Sequence, residues 1–216
     1  MLKKTLVLTL VFVLALAATV YAEDLYVIDI NKGTWAGGDN NLEVINNKLP
    51  IDNDVTYNGQ PSLRINVYQK GTWWHGYIAF PPRDLTQYKD AYLQFAVKGE
   101  KGGETFRVGF KSGVHDPDPE KNTESRPCKE VVATADWTVV SIPIKDYIEM
   151  DITPPFDPTE VTDFVVRNLN HSTLKAWIAD VKIVSEPAAD AEPAASDDKI
   201  VSEPAADAEP AASDDK

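Results

Sequence analysis

The 216-residue chain reads as an all-β protein, an antiparallel β-sandwich or jelly roll. Three observations predict this. Almost every informative segment alternates apolar and polar residues with a period of two. Turn signals such as Tyr57-Asn58-Gly59, Lys98-Gly99 and Lys101-Gly102-Gly103 punctuate those segments. Helical periodicity is nearly absent and no βαβ spacing occurs, which leaves sheet against sheet as the way to bury the apolar faces.

In chain order the predicted strands are LYVIDI (25–30), SLRINV (62–67), WWHGYIAF (73–80), AYLQFAV (91–97), TFRVGFK (105–111), WTVVSIPI (137–144), DFVVRNL (163–169) and AWIADVKIV (176–184). Pro158-Thr159-Glu160 opens one short helical turn at most. Successive side chains of a strand point to opposite faces. Leu63, Ile65 and Val67 therefore oppose Arg64, Asn66 and Tyr68. Leu93, Phe95 and Val97 oppose Tyr92, Gln94 and Ala96, and Phe106, Val108 and Phe110 oppose Thr105, Arg107, Gly109 and Lys111. In GTWWHGYIAFP, Trp74, Ile78 and Phe80 share the core parity, and Trp73, His75, Tyr77 and Ala79 share the other. A bulge in this segment would exchange the two tryptophans.

Both ends differ from this body. Residues 1–22 have a basic start (Lys3, Lys4), an apolar run from Leu6 to Val20 and a small residue, Ala22, before Glu23-Asp24. That is the pattern of a cleaved secretory signal peptide. A retained anchor is the alternative, since the run approaches spanning length. IVSEPAADAEPAASDDK fills 183–199 and recurs unchanged at 200–216. Past its Ile-Val the repeat offers almost nothing to bury, so 185–216 is expected to be a disordered acidic tail or linker. The body, 23–184, is long enough for one domain with a core.

The two repeats supply minus eight of the formal net charge of minus thirteen and Lys3 and Lys4 add plus two, so minus seven remains on residues 23–182. A moderately acidic body argues against nucleic acid or an anionic membrane as partner and suits a neutral ligand. A single cysteine, Cys128, excludes an intramolecular disulfide and a cysteine zinc cage, and reads as a loop residue.

The non-core faces mix aromatics with long hydrogen-bonding groups. An aromatic ring can lie against the C–H face of a sugar, and Gln, Arg, His and Asn can bond its hydroxyls. Trp73, His75, Tyr77, Tyr92, Gln94 and Arg107 together supply both functions. Trp73 and Tyr77 are the expected stacking residues; His75, Gln94 and Arg107 are the expected hydroxyl partners, and Tyr92 suits either role. Taken singly, each aromatic could simply raise strand propensity and cover its neighbours.

The order of segments resembles that of the β-sandwich, galactose-binding-like carbohydrate-binding modules appended to bacterial cellulases, xylanases and mannanases. An opening strand ends in KGTW; YNGQPSLRINV, a tryptophan-bearing strand, DLTQYKDAYLQFAVKG, FRVGF, DWTVVSIPI and a closing WIADVKIV come after it, covering about 25–184. The resemblance implies a secreted, non-catalytic module that binds a β-linked plant polysaccharide (β-glucan, xyloglucan, xylan or glucomannan) and is linked to or acts beside a glycoside hydrolase. It maps a ligand-stacking tryptophan to Trp73 or Trp74, and parity selects Trp73. Arg107 matches a polar position on a later strand. Trp35 would be a rim aromatic or a plug for the sandwich end. The resemblance also implies one structural calcium between the first and last strands, held by Asp29 and Asp180. Calcium needs six to eight oxygens, and either aspartate could instead accept an ordinary hydrogen bond. The acidic loop HDPDPEKN (115–122) lacks EF-hand spacing and reads as a solvated turn.

A jelly-roll hydrolase or lyase is the rival reading. Glycoside hydrolysis normally needs two facing carboxylates, and the expected cleft strands carry none. No GxSxG, HExxH or GxGxxG occurs. A lyase with Tyr77 or His75 as base and Arg107 as charge neutraliser stays open on the sequence alone. So does an envelope-associated protein-interaction domain, whose interface would use the same aromatics.

Overall fold

The computed structural model describes residues 23–38, 41–188 and 192–193. Residues 1–22, expected to be a signal peptide, residues 39–40 and all of the tail past residue 188, except 192–193, lie outside the described residues.

Twelve strands are present among the described residues: β1 (Asp24–Val27), β2 (Gly33–Gly38), β3 (Ile51–Tyr57), β4 (Gln60–Val67), β5 (Trp74–Arg83), β6 (Tyr92–Gly99), β7 (Glu104–Ser112), β8 (Cys128–Ala133), β9 (Thr138–Pro143), β10 (Val161–Asn168), β11 (Leu174–Val184) and β12 (Glu192–Pro193). They form two sheets. One has seven strands in the order β12-β9-β6-β11-β4-β3, with β1 added beside β11; the other has five, in the order β2-β5-β10-β7-β8. All pairs are antiparallel except β12 with β9. The fold is the all-β sandwich that the alternation predicts.

The core lies between the sheets. Leu63, Ile65, Leu93, Phe95, Phe106, Phe110, Phe164, Ile178 and Trp74 all bury their side chains there. Each comes from the apolar parity of its strand, so period two alone sorts these residues into the core. One residue breaks the parity. Between Ala179 and Lys182 the register of β11 against β6 slips, and Asp180 takes a left-handed φ of 50°. This bulge restores Val181 and Ile183 to the inside.

One expected strand needs correcting. LYVIDI does not run as one strand, because after Val27 the chain turns into a 3-10 segment, Ile30–Lys32, capped by Asp29. Pro158-Thr159-Glu160 is a short turn, as expected, in which Asp157 accepts from Thr159. The single α-helix among the described residues is α1 (Ile144–Ile148). Residues 192–193 pair in parallel with β9.

Candidate functional site

The outer face of the five-stranded sheet carries the non-core parity of β5. Trp74 is fully buried with Gly76 and Ile78, while Trp73, His75 and Tyr77 face outward. The registers extend this face across the sheet. One row runs Gly37, His75, Arg167, Arg107, Glu130; the next runs Trp35, Tyr77, Val165, Gly109, Cys128.

Aromatic rings form a continuous cluster along β2 and β5. The His75 ring centroid lies 4.5 Å from Trp73, 4.6 Å from Trp35 and 4.8 Å from Tyr77. Trp35 and Tyr77 lie 6.1 Å apart with planes 26° from parallel. Trp35 is the open member at 39% exposure. Its indole lies over Gly37, where a Cβ would come within 2.3 Å of the ring. KGTWAGG therefore places a rim aromatic on this face and not a plug at the sandwich end.

A polar bridge bounds the cluster. The Tyr77 hydroxyl donates to Glu124 Oε1 at 3.2 Å and accepts from Arg126 Nη1 at 3.0 Å. Arg126 Nε lies 3.3 Å from Glu124 Oε1, and His115 Nδ1 lies 3.4 Å from Glu124 Oε2. Tyr77 stands on β5, whereas Glu124 and Arg126 lead into β8, about 14 Å away at three strand spacings. The side chains meet above Val165, which is outward yet fully buried, and above Gly109, where a Cβ would strike the Pro127 carbonyl. Beyond the bridge, Lys111 Nζ pairs with Asp163 at 3.4 Å and sits 5.3 Å from the Tyr77 ring centroid. The acidic 115–122 loop is the exposed turn expected of it; its His115 reaches Glu124, and the chain leads on into Glu124 and Arg126.

Electrostatics follow from this packing. His75 is 7% exposed. Burial, reinforced by Arg126, Arg167 and Lys111, holds its pKa down at about 3 against an ordinary 6.5. Burial pushes the Tyr77 phenol well up, despite the opposing effect of Arg126. A base with so low a pKa and a phenol so hard to ionise are both poorly matched to the lyase roles considered for them. Burial also raises the Cys128 thiol, against the nearby arginines. Cys128 begins β8 and is not in a loop.

Of the sequence-predicted residues, Trp73, His75, Tyr77 and Arg107 share this face. Tyr92 and Gln94 do not. Both stand on the outer parity of β6 in the opposite sheet, where Gln94 pairs in register with Ser141 and Lys182. Alternation assigns a face to a residue without saying which sheet its strand joins. Sequence reasoning missed Arg167, Glu124 and Arg126 as members of this face; the last two follow the loop read as solvent-exposed, whereas Lys111 stands on the non-core parity of β7 that alternation assigns it.

The calcium donors can be tested directly. Asp29 Oδ1 accepts from Asn31 N and Nδ2, at 3.1 and 2.9 Å. Asp180 Oδ2 lies 3.2 Å from Lys182 Nζ, which also reaches Asp24 at 3.1 Å. Among the described residues no group of three or more His, Cys, Asp or Glu is placed to hold a metal ion. The side-chain donors thus do not gather into a cation cage, and an ammonium already occupies Asp180.

These features have counterparts in known proteins. A family model described as carbohydrate-binding domain 30 matches residues 24–185. The family 30 module of the cellulosomal cellulase Cel9D-Cel44B of Clostridium thermocellum is 35% identical, with 76% of this chain and 95% of that one covered and a TM-score of 0.62. A second family 30 crystal structure is 35% identical over 81% of this chain and 91% of that one, also at 0.62. At the level of fold alone, a family 11 module from Clostridium thermocellum, solved in complex with a β-1,3-1,4-mixed-linked tetrasaccharide, is 11% identical over 75% and 96% of the two chains with a TM-score of 0.55. No curated protein sequence matches. The match over nearly all of the folded body, with identity above a third to a module covered almost end to end, makes this chain a member of carbohydrate-binding module family 30.

Proposed function

We propose that this chain is a secreted, non-catalytic module that holds a β-linked glucan on the outer face of the five-stranded sheet. The observation that carries the reading is the ring cluster of Trp35 on β2, His75 and Tyr77 on β5, and Trp73 just before β5. Trp35, the most exposed, offers the flat surface on which a pyranose ring stacks; Trp73 and Tyr77 extend it. His75 acts from beneath, since at 7% exposure its ring is occupied by three aromatic neighbours. Arg107 contributes hydroxyl contacts. Mixed-linked β-1,3-1,4-glucan and xyloglucan are the first ligands to try, ahead of xylan and glucomannan. The module then concentrates a glycoside hydrolase, in the same or a neighbouring chain, at an extracellular polysaccharide.

Affinity electrophoresis in gels containing each polysaccharide tests this. Wild type is expected to be retarded by at least one β-glucan, and Trp35→Ala and Trp73→Ala to lose most of the retardation while keeping a native circular dichroism spectrum. Absence of retardation in every gel, or equal retardation of all three proteins, would sink the proposal. A structural calcium through Asp29 and Asp180 is a separate proposal that requires Lys182 to leave Asp180. It predicts a higher melting temperature in calcium than in chelator, and identical melting curves would remove it.

A further inference from the structure

The central row of the face contains an arginine that the aromatic reading leaves unused, and a binding role for it rests on that reading. Arg167 stands between His75 and Arg107 in register. Two neighbouring acids are engaged elsewhere: Asp163 binds Lys111 and Thr162, and Glu124 binds Arg126, His115 and Tyr77. Glu130 stands opposite Arg107, two strands from Arg167. Among the described residues Arg167 acts on His75, Tyr77 and Cys128 by its charge and joins no hydrogen bond or salt bridge. Its two cross-strand neighbours are an imidazole held neutral and a second guanidinium. Arg107 offers it no acceptor, because a guanidinium carries donors only.

We propose that Arg167 is the specificity-determining polar residue of this face, and that it binds a pair of adjacent oxygen acceptors on one sugar. A guanidinium is a planar fork of donors with no acceptor, so its partner must present oxygens side by side. Trp35 fixes where they lie. Its indole covers Gly37, and Gly37, His75 and Arg167 occupy one row on adjacent strands. Two strand spacings, about 10 Å, separate Gly37 from Arg167. A pyranose ring stacked on Trp35 thus turns an edge toward Arg167. His75, buried under three rings, cannot serve that edge. Two glycan features present such an oxygen pair: vicinal hydroxyls of a neutral glucan, or the carboxylate of a uronic acid unit.

Isothermal titration calorimetry on the full chain distinguishes them. The probes are cellohexaose and a β-1,4-linked hexasaccharide of the same backbone with one glucuronic acid unit, at low and high salt. Arg167→Met is expected to weaken binding of at least one probe about tenfold, as loss of hydrogen bonds from a charged donor would, with its thermal melt unchanged. Arg167→Lys keeps the charge without the fork and is expected to restore little. A loss seen equally on the neutral probe and indifferent to salt assigns vicinal hydroxyls. A loss confined to the acidic probe and relieved by salt assigns the carboxylate. The inference is overturned if Arg167→Met binds both probes as wild type does, or if Arg167→Lys matches wild type. A folded wild type that binds neither probe and no gel polysaccharide removes the glycan reading itself, a different failure from an indifferent Arg167.

Discussion

The outer face of the seven-stranded sheet carries Ser62, Ala96 and Ala179, all buried, whereas that of the five-stranded sheet carries Trp35 at 39% exposure above an aromatic cluster. On the first face the protein covers itself. Between Asp52 and Tyr57, β3 leaves its register with β4, and Tyr57 reaches Trp137 at 5.4 Å. Asp52 ties the excursion down. It accepts from Trp177 Nε1 at 3.0 Å, from Arg64 at 2.9 Å and from the backbone of Asp54 and Val55. Arg64 and Asn66 also hold Glu43, at 2.6 and 2.8 Å. The second face leaves Trp35 open, and its middle row holds Arg167. Both faces come from the same alternation. What separates them is whether the outward residues are small enough to accept a strap of the chain, or flat and polar enough to accept a sugar.

The sharpest break between core and face lies in one dipeptide. Trp74→Ala empties a fully buried site and is expected to cost about 3–5 kcal/mol in urea denaturation. Trp73→Ala is expected to cost roughly 1 kcal/mol or less of stability and most of the glycan affinity. Equal destabilisation by the two would show that the strand's two faces are not distinct.

The two outer faces also separate by pH. With a folded pKa of about 3 against an ordinary 6.5, His75 is protonated more readily in the unfolded chain. Its contribution to stability is intact above pH 6.5 and is lost progressively as pH falls towards 3. At pH 4 the loss is roughly 3 kcal/mol. Asp52 acts on the other face and in a lower window. Burial alone would raise its pKa, but hydrogen bonds from Trp177, Val55, Arg64 and Asp54 together hold it at about 2 against 3.8. Its stabilisation, about 2 kcal/mol, is present above pH 3.8 and disappears as pH falls through 2. Urea midpoints at stepped pH for wild type, His75→Phe and Asp52→Asn check both. The first variant is expected to flatten the slope between pH 6.5 and 4, and the second only the slope below 4. A wild-type stability constant from pH 7 to 4 would contradict the buried, neutral His75.

How far the sequence carries this contrast depends on the element. Strands with unbroken alternation, such as SLRINV and TFRVGF, are legible along with the core residues they supply, and Trp73 and Trp74 face the ways that parity assigns them. GTWAGG, IDNDVTY and CKEVVA are also strands, but glycines, three acceptor-rich residues and charged neighbours blur their period. Sheet membership is a long-range property, which is why alternation groups Tyr92 and Gln94 with Trp73 although they stand on the opposite sheet. Arg167 is hard to read from the sequence because Val165, on its own outward parity, looks like a core residue. It is buried, but under Tyr77 and the bridge to Arg126 and not between the sheets.

A finer test concerns how Trp35 is presented. Gly37 lies beneath its indole, and a Cβ there would sit 2.3 Å from the ring. Because the obstacle is a side chain, Gly37→Ala swings the indole away without breaking the strand. Roughly three- to tenfold weaker glycan binding with little change in stability is the expected result, comparable to losing one well-placed aromatic contact. Unchanged affinity would mean that Trp35 binds from a different rotamer, or not at all.

The smallest effect probes the polar bridge that gives the open face its boundary. Glu124 is 8% exposed, and its two oxygens engage the Tyr77 hydroxyl, Arg126 and His115. If the carboxylate matters by fixing the tilt of Tyr77, then Glu124→Gln and Tyr77→Phe each weaken glycan binding by about 1 kcal/mol, and the double variant is no worse than either alone. If Glu124 merely helps to hold its loop, its removal lowers stability and leaves affinity untouched, and the two substitutions add. A double-mutant cycle run on both binding and unfolding separates these cases. Coupling in the binding cycle would mean that the wall of this face, like its aromatic floor, is set by the protein before a sugar arrives, which is what the closed strap on the opposite sheet achieves with its own chain in place of a ligand.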